Sequence, residues 1–292
     1  IPPGVVGEIA KNDTGKKPVK NNIENQQEQN PVEEQKAKPK PVAITTVAFD
    51  PDDFSPSKEE WNANWPVFRG PLGNGVSPAG NYPVKWNAAL GENLLWKADI
   101  PLPGWNSPVI WKDKVFISGA DQNNRELYCF SSNDGKLIWS KKLDAINPMA
   151  GKPNIMEDTG YAPSTCAVDG KRIFTIFPNG DIFCCDYDGN QVWKKALGLP
   201  DNAYGHAASL VMYKSLIIVQ MDQSSDPSAG KSMLYALQAK SGDFVWAVPR
   251  NVPNSWTTPL VINDGQSDII VTNANPWTIA NDPMTGAELW RA

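Results

Sequence analysis

Near its end the chain reads Ile279-Ala280-Asn281-Asp282-Pro283-Met284-Thr285-Gly286-Ala287-Glu288-Leu289-Trp290. An apolar run is followed by a polar turn that ends in Gly286, and Trp290 comes four residues after that glycine. The same phrase occurs three times upstream, and its glycine and tryptophan are Gly135 and Trp139, Gly189 and Trp193, and Gly242 and Trp246. A strand-type unit that recurs at a spacing of roughly 50 residues is typical of a β-propeller.

Each copy of the phrase predicts a β-hairpin. Asp-Gly closes two of the four turns, and Ser-Gly and Thr-Gly close the others, because glycine supplies the positive φ that a tight turn needs. The tryptophan then falls at a fixed place on the outgoing strand, where its large ring can pack between adjacent sheets while its N–H finds one partner. We therefore expect stacked units of the same construction.

A second recurring element lies upstream of each hairpin. A hydroxyl residue opens an apolar strand, and a polar turn and another β-rich run follow. The hydroxyl residues are Ser107, Thr165, Ser209 and Thr258. The two elements together make four antiparallel strands per unit, which is one propeller blade. The predicted fold class is therefore all-β, a β-propeller of four-stranded antiparallel blades.

The repeat resembles that of the quinoprotein-type propellers, the PQQ-binding-like family that includes PQQ-dependent alcohol dehydrogenases and the non-enzymatic BamB-type outer-membrane assembly lipoproteins. The repeat of that family reads A-x-D-x-x-T-G-x-x-x-W, and Ala280, Asp282, Thr285, Gly286 and Trp290 match it at every specified position. The resemblance is specific for the fold and unspecific for activity. It implies a propeller of the eight-bladed type.

The resemblance also sets the expected organisation. Residues 61–94 are interpreted as a lead-in segment, part of which resembles the stretch before the first blade in one bacterial branch of the family, and residues 95–292 as the propeller repeats. Trp96 resembles the closing strand of a further blade whose first three strands do not precede it. About four blades and one strand are too few to form a closed eight-bladed propeller. Because the chain stops at Ala292, we expect a fragment whose missing blades are C-terminal.

The first sixty residues have a different composition. They are rich in Asn, Gln, Glu, Lys and Pro, and every tryptophan lies at Trp61 or later. Burial of so few apolar side chains cannot offset the conformational entropy that ordering would cost. Residues 1–60 are therefore predicted to be a disordered linker. A linker of this kind and the family resemblance together lead us to expect an extracytoplasmic protein, periplasmic or at the cell surface, tethered by an anchor outside this sequence.

The net charge of the chain and the distribution of its basic residues limit the classes of partner that we expect. The formal net charge is −5 at pH 7, with 20% charged and 10% aromatic residues. No basic stripe alternates with the aromatic residues, so nucleic acid is not an expected partner. A mildly acidic surface also disfavours direct docking on anionic lipid.

Cysteine and histidine offer little support for a metal site. Neither zinc nor haem attachment is supported, because the single histidine is remote from every cysteine and no CxxC spacing occurs. The cysteines are Cys129, Cys166, Cys184 and Cys185. Cys184-Cys185 is interpreted as two core thiols, because Cys184 shares a column with Cys129, Ala236 and Ala280. The alternative, which the resemblance to PQQ alcohol dehydrogenases implies, is a disulfide between these neighbours that lies against the cofactor.

The candidate binding surface consists of residues that precede the inner strands, because the starts of inner strands face the mouth of a propeller's central channel. The candidates are Trp105, Asn106, His206 and Trp256. No catalytic residue is predicted, and His206 is interpreted as a surface or capping histidine because no partner for acid–base chemistry is evident.

Polar residues at the turns are interpreted as turn-formers rather than calcium ligands; they are Asp134, Asp188, Asp282 and Asn179. We interpret Asp121, Glu126 and Asp222 as solvated loop residues.

Three functions remain open. The favoured hypothesis is an exported, non-catalytic propeller that acts as a protein-binding or assembly scaffold with no cofactor. The second is a PQQ-dependent oxidoreductase that uses calcium and whose cofactor site lies largely in missing blades. The third is a structural component of a cell-surface or extracellular assembly. A protein partner is expected in the first and third.

Overall fold

The computed structural model describes residues 56–78, 80, 82–147, 151–153 and 155–292. Within these residues the chain forms four antiparallel sheets of four consecutive strands each. This confirms the predicted all-β fold of four-stranded blades. The helices described are α1 (Lys58–Asn62) and a 3-10 turn, Pro227–Ala229. Neither of these helices has the length and apolar character needed to cross a membrane.

The sixteen strands follow one another along the described part of the chain. Sheet 1 consists of β1 (Val109–Trp111), β2 (Lys114–Ala120), β3 (Arg125–Ser131) and β4 (Leu137–Lys142). Sheet 2 consists of β5 (Ala167–Val168), β6 (Arg172–Ile176), β7 (Asp181–Asp186) and β8 (Gln191–Ala196). Sheet 3 consists of β9 (Val211–Tyr213), β10 (Leu216–Met221), β11 (Met233–Gln238) and β12 (Phe244–Pro249). Sheet 4 consists of β13 (Leu260–Asn263), β14 (Asp268–Ala274), β15 (Trp277–Asn281) and β16 (Glu288–Arg291).

Each sheet contains the same irregularity between its third and fourth strands. The residue paired with the repeat tryptophan is small, and the register shifts directly after it. These small residues are Cys129, Cys184, Ala236 and Ala280, as the column in the sequence indicated. A bulge bends the strand and increases its twist, and the small side chain leaves space for the indole opposite.

Tryptophan rings join each sheet to the next. The ring of Trp139 lies on Gly189, that of Trp193 on Gly242 and that of Trp246 on Gly286, so that a Cβ on these glycines would lie 2.6–3.0 Å from ring atoms. Each indole N–H also donates to a carbonyl of the next sheet, at 2.9–3.1 Å. Glycine is therefore needed at the turn for its positive φ, between 72° and 83°, and for the ring's approach. We call these contacts the seams.

Trp96 makes the same contact on the other side of sheet 1. Its ring lies on Gly135, and its N–H donates to the carbonyl of Ser132 at 2.8 Å. Residues 93–100 form no strand, but Trp96 and Ala98 pack against Val115 and Tyr128 of sheet 1. Trp96 thus makes the same contact with sheet 1 that Trp139, Trp193 and Trp246 make with the sheets that follow them.

Apolar clusters fill the spaces between consecutive sheets. One lies between sheets 1 and 2, the next between sheets 2 and 3, and a third between sheets 3 and 4. Strands β7 and β10 are buried along almost their whole length because sheets 2 and 3 are covered on both faces. The fourth strands β4 and β8 are mostly exposed, which places them at the outer end of their sheets.

The four hydroxyl residues join the first strands at the inner ends of the sheets. The amide N–H of Ser107 donates to Oγ1 of Thr165 at 3.0 Å, that of Thr165 to Oγ of Ser209 at 3.1 Å, and that of Ser209 to Oγ1 of Thr258 at 3.0 Å. Thus the hydroxyls of Thr165, Ser209 and Thr258 each accept a hydrogen bond from the residue that opens the first strand of the preceding sheet. The recurrence of Ser and Thr at these positions has a physical cause: it satisfies backbone donors where strands of different sheets meet.

The lead-in segment lies across these inner ends. Ser57 caps helix α1, which begins three residues before the boundary predicted at residue 61. Trp65 then pairs with Ile110 of β1, and Val67 is buried in the cluster between sheets 2 and 3. Of the predicted linker 1–60, residues 1–55 lie outside the described part of the chain.

Candidate functional site

One cavity of about 860 Å³ lies at the inner ends of the sheets. Its lining includes one equivalent residue from each sheet, two positions before the hydroxyl residue; these four are Trp105, Pro163, Ala207 and Trp256. Two of the four predicted channel-mouth residues, Trp105 and Trp256, therefore line a common cavity. The lining is uneven, because two of these equivalent positions hold a large aromatic ring and the other two hold proline and alanine.

The two tryptophans are held differently. Trp105 is 70% exposed, and its amide N–H donates to the carbonyl of Ala162 at 3.0 Å. Trp256 is partly buried: its indole N–H donates to the carbonyl of Gly205 at 3.1 Å, and its ring meets Tyr204 edge-on at 4.7 Å. Trp105 therefore presents a free aromatic face, while Trp256 is a fixed wall of the cavity.

The other two predicted residues have structural positions outside this lining. The Asn106 amide donates to the carbonyls of Ser118 and Ala162, at 2.9 and 2.8 Å, and so joins sheet 1 to the chain that enters sheet 2. His206 is buried, so its interpretation as a surface histidine is wrong. Its ring Nε2 bonds the carbonyl of Ala208 at 2.8 Å, which is a local capping role. Burial lowers the pKa of His206 to about 4, so the ring is neutral at pH 7.

The lead-in segment and the first strands of sheets 3 and 4 supply the remaining walls. The lead-in contributes aromatic, apolar and cationic side chains, and β9 and β13 contribute Met212, Tyr213, Leu260 and Ile262. These residues were not among the predicted site residues. Their signal in the sequence is weak, because an apolar first strand is equally expected of the core.

Cationic side chains outnumber carboxylates around the cavity. Lys58, Arg69 and Lys214 line it, whereas Asp268 is the one acidic residue among the lining residues that the structure describes. Asp268 already accepts hydrogen bonds from the Tyr213 hydroxyl at 3.2 Å and the Asn263 amide at 2.9 Å. The cavity therefore has a positive rim on a chain whose net charge is −5.

A buried ion pair lies beside the wall formed by Trp256. Arg250 donates to both oxygens of Asp222, at 2.7 and 3.4 Å, and to Oγ1 of Thr272 at 2.7 Å. The Gln220 amide donates to Asp222 at 2.7 Å, to the Asn273 carbonyl, and to hydroxyls of the residues on either side of Trp256. The interpretation of Asp222 as a solvated loop residue is therefore wrong.

The charge of Asp222 is committed to this network. Burial raises the pKa of Asp222, and the Arg250 guanidinium and the Gln220 amide oppose that shift. A carboxylate that is paired in this way supports the loop that carries Trp256, and Asp222 is not among the lining residues of the cavity. Neither partner was detectable from sequence, because they lie 28 positions apart in the chain.

Cys184 and Cys185 are core residues, as predicted. All four cysteines are buried free thiols. Neighbouring side chains of a strand point to opposite faces, so Cys184 packs between sheets 2 and 3 and Cys185 between sheets 1 and 2. Burial raises the pKa of both thiols, that of Cys185 to about 11, so neither is a reactive thiolate at pH 7.

The turn residues form turns. Asp282 accepts the amide N–H groups of Met284 and Thr285, Asp134 accepts that of Lys136, and the Asn179 amide donates to Asp181. Among the residues that the structure describes, no group of three or more His, Cys, Asp and Glu side chains is placed to hold a metal ion.

The described lining does not fit PQQ with calcium, the alternative cofactor. Calcium takes about six to eight oxygen ligands with several carboxylates among them. The lining offers Asp268 alone, with both oxygens already bonded. We therefore derive no chemistry from that cofactor for these residues.

No protein-family model and no curated protein matches the sequence. Among solved structures, the chain is similar to the quinohemoprotein alcohol dehydrogenase ADHIIG of Pseudomonas putida, with a TM-score of 0.51 and 13% identity over 68% of this chain and 36% of that one. It also matches the quinohemoprotein alcohol dehydrogenase of Comamonas testosteroni (TM-score 0.48, 15% identity, 65% of this chain and 35% of that one). A third match is BamB of Moraxella catarrhalis (TM-score 0.45, 14% identity, 68% of this chain and 54% of that one).

The likeness to ADHIIG supports a β-propeller fold for this chain, and at 13% identity it carries no activity with it. The chain spans about half the length of the BamB structure and about a third of each dehydrogenase.

Proposed function

We propose that this chain belongs to an exported, non-catalytic β-propeller that acts as a protein-binding or assembly scaffold. The observation that supports this function best is the cavity at the inner ends of the sheets. Aromatic and apolar side chains dominate the part of its lining that the structure describes, and the one carboxylate there, Asp268, is engaged by Tyr213 and Asn263. Aromatic anchors of this kind with a charged rim are common in protein-binding sites.

The titratable groups near the cavity support binding over catalysis. His206 is buried and neutral, and Asp222 is paired with Arg250. General acid–base catalysis needs a group within hydrogen-bond reach of the substrate and with a pKa near the working pH. In this proposal the protein is extracytoplasmic, and residues 1–60 tether the repeats to an anchor.

The proposal is tested by co-purification of the full chain from the cell envelope of its source, with chemical cross-linking. We expect one protein partner that cross-links to Lys58 or Lys214 at the cavity rim. Trp105→Ala should weaken partner binding at least about tenfold, as expected for a central aromatic anchor. Trp86→Ala is the matched control, because Trp86 is 69% exposed and lies outside the cavity lining.

The oxidoreductase hypothesis is tested on the same protein. We expect that added PQQ and calcium neither quench tryptophan fluorescence nor support dye reduction. Saturable PQQ binding together with dye reduction would overturn the scaffold proposal. Equal partner binding by Trp105→Ala and the unsubstituted chain would retain the scaffold and reject the cavity as its binding site.

A further inference from the structure

The first strand of each sheet has an equivalent residue whose backbone N–H and C=O point away from its own sheet. In an antiparallel ladder, residues bonded to the neighbouring strand alternate with residues whose polar groups face outward. The outward-facing residues are equivalent in the four sheets, three positions after the hydroxyl residue; they are Ile110, Val168, Met212 and Val261. All four face the inner end of the stack.

The lead-in segment occupies the first two of these positions. The N–H of Ile110 donates to the Trp65 carbonyl at 2.8 Å, and the N–H of Trp65 donates to the Ile110 carbonyl at 3.0 Å. The N–H of Val168 donates to the carbonyl of Pro66 at 2.9 Å. Two consecutive residues of an extended segment thus add to the inner edges of two consecutive sheets.

The next two positions lie open along the cavity. Within the described part of the chain, no hydrogen bond joins the outward N–H or C=O of Met212 or Val261 to another residue. Both residues line the cavity instead. After Val67 the lead-in forms a turn in which the N–H of Gly70 donates to the Val67 carbonyl at 2.9 Å, and Gly73 then lies against the Leu260 side chain. Phe68 and Leu72 of the lead-in also line the cavity. The result is an edge with free donors and acceptors beside an apolar wall.

We propose that an extended segment of a partner protein adds to this edge as a strand, bonding Met212 and Val261 as Trp65 and Pro66 bond Ile110 and Val168. This inference rests on the proposed scaffold function and names the chemistry of its partner. The segment carries an apolar or aromatic side chain that enters the space between Trp256, Leu72 and Ile262. Acidic residues flank it, because the cationic side chains of Lys58 and Arg69 line the cavity.

Strand addition suits this place physically. Main-chain hydrogen bonds provide affinity, and alternate side chains that enter pockets provide specificity. The sheet behind the edge is rigid, since Met212 packs in the cluster between sheets 2 and 3. Binding therefore orders only the added segment and leaves the scaffold unchanged.

The test uses the full chain and a panel of blocked synthetic heptapeptides that alternate Val, Phe and Thr and carry Glu at both ends. Binding is measured by fluorescence anisotropy and by amide hydrogen exchange. We expect binding to slow exchange of the Met212 and Val261 amides at least about tenfold. N-methylation of the alternate peptide amides that face the edge should abolish binding, whereas N-methylation of the other set should not.

Two substitutions at one position isolate the backbone contribution. Val261→Pro removes the outward N–H, and proline is tolerated on an edge strand when its missing N–H faces solvent. Val261→Ala shortens the side chain and keeps the N–H. We expect Val261→Pro to weaken peptide binding about tenfold and Val261→Ala less than about threefold. If Val261→Pro fails to fold, the paired N-methylated peptides decide the question on the unsubstituted chain.

Three results would overturn the inference. The first is that no peptide of the panel binds, or that both N-methylated sets bind equally. The second is slow exchange of the Val261 amide before peptide is added, which means that the edge is already occupied; a concentration-dependent rate would identify a second copy as the occupant. The third is a natural partner that binds Val261→Pro and the unsubstituted chain equally well, which preserves the scaffold function and rejects this edge.

Discussion

The seams between sheets and the cavity at their inner ends are built on the same repeat, yet they differ in how strictly it is kept. At the seams, tryptophan, glycine and a small residue recur with the same contacts between each pair of consecutive sheets. At the cavity, equivalent positions hold tryptophan twice, proline and alanine. Strict repetition marks residues that hold neighbouring sheets together, and divergence at equivalent positions marks residues available for recognition.

The largest effect should follow from filling a seam. Gly242 has φ 74°, and a Cβ there would lie 2.6 Å from the Trp193 ring. We expect Gly242→Ala to lower the free energy of unfolding by about 3 to 4 kcal/mol, the sum of a left-handed backbone and overpacking. The measurement is urea denaturation followed by tryptophan fluorescence.

Gly230→Ala is the control for the seam. Gly230 also has a positive φ, 64°, but a Cβ there meets no atom within 4 Å. We expect a loss of about 1 to 2 kcal/mol from the backbone alone. If Gly230→Ala and Gly242→Ala destabilise equally, the ring contact contributes nothing, and the distinction between seam and cavity loses its energetic basis.

The next largest expected effect is a dependence of folding stability on pH that arises from His206. Because burial lowers the pKa of His206 to about 4, from about 6.5 in the unfolded chain, protonation favours unfolding. Stability should be complete above about pH 6.5 and fall as the pH drops toward 4, by about 3 kcal/mol in total. Since the chain has a single histidine, His206→Gln should remove this component.

The measurement for His206 is a series of urea denaturation curves between pH 7 and pH 4 for both proteins. Carboxylates contribute to both curves, so the difference between them reports the histidine. Parallel curves across this window would show that the buried ring does not carry the pH dependence.

The smallest effect concerns the hydroxyl bonds at the inner ends. Thr165→Val keeps the shape of a buried side chain but removes the acceptor for the Ser107 amide. We expect a loss of about 1 to 2 kcal/mol, because a donor is left unsatisfied. Thr165→Ser keeps the acceptor and should lose less. Thermal unfolding by circular dichroism distinguishes the two, and a more stable Thr165→Val would contradict the role given to this bond.

The repeat was readable from sequence because its physics is local. A glycine closes each hairpin, a small residue faces each tryptophan, and a hydroxyl opens each first strand; each of these signals is confined to one strand or one hairpin. The same locality explains the errors. His206 was interpreted as a surface or capping histidine and Asp222 as a solvated loop residue, but both are buried, and Asp222 is paired with Arg250, which lies 28 positions away in the chain.

The candidate site was predictable in part. The position of Trp105 and Trp256 before the hydroxyl residues placed them at the inner ends of the sheets, where they line the cavity. The contributions of the lead-in segment were not predictable, because nothing in the residues around Trp65 indicates which edge they join. Their pairing with Ile110 spans 45 positions and depends on where sheet 1 ends.

The amino-acid sequence by itself determined the blade, its four strands and the tryptophans between blades, because hairpin turns, alternation and small-residue columns act over short distances along the chain. Only the tertiary structure decided which first-strand edges are covered and which are open, and which charges are buried in pairs. Those outcomes depend on backbone groups and side chains that meet across sheets, where the residue type at one position does not specify its partner.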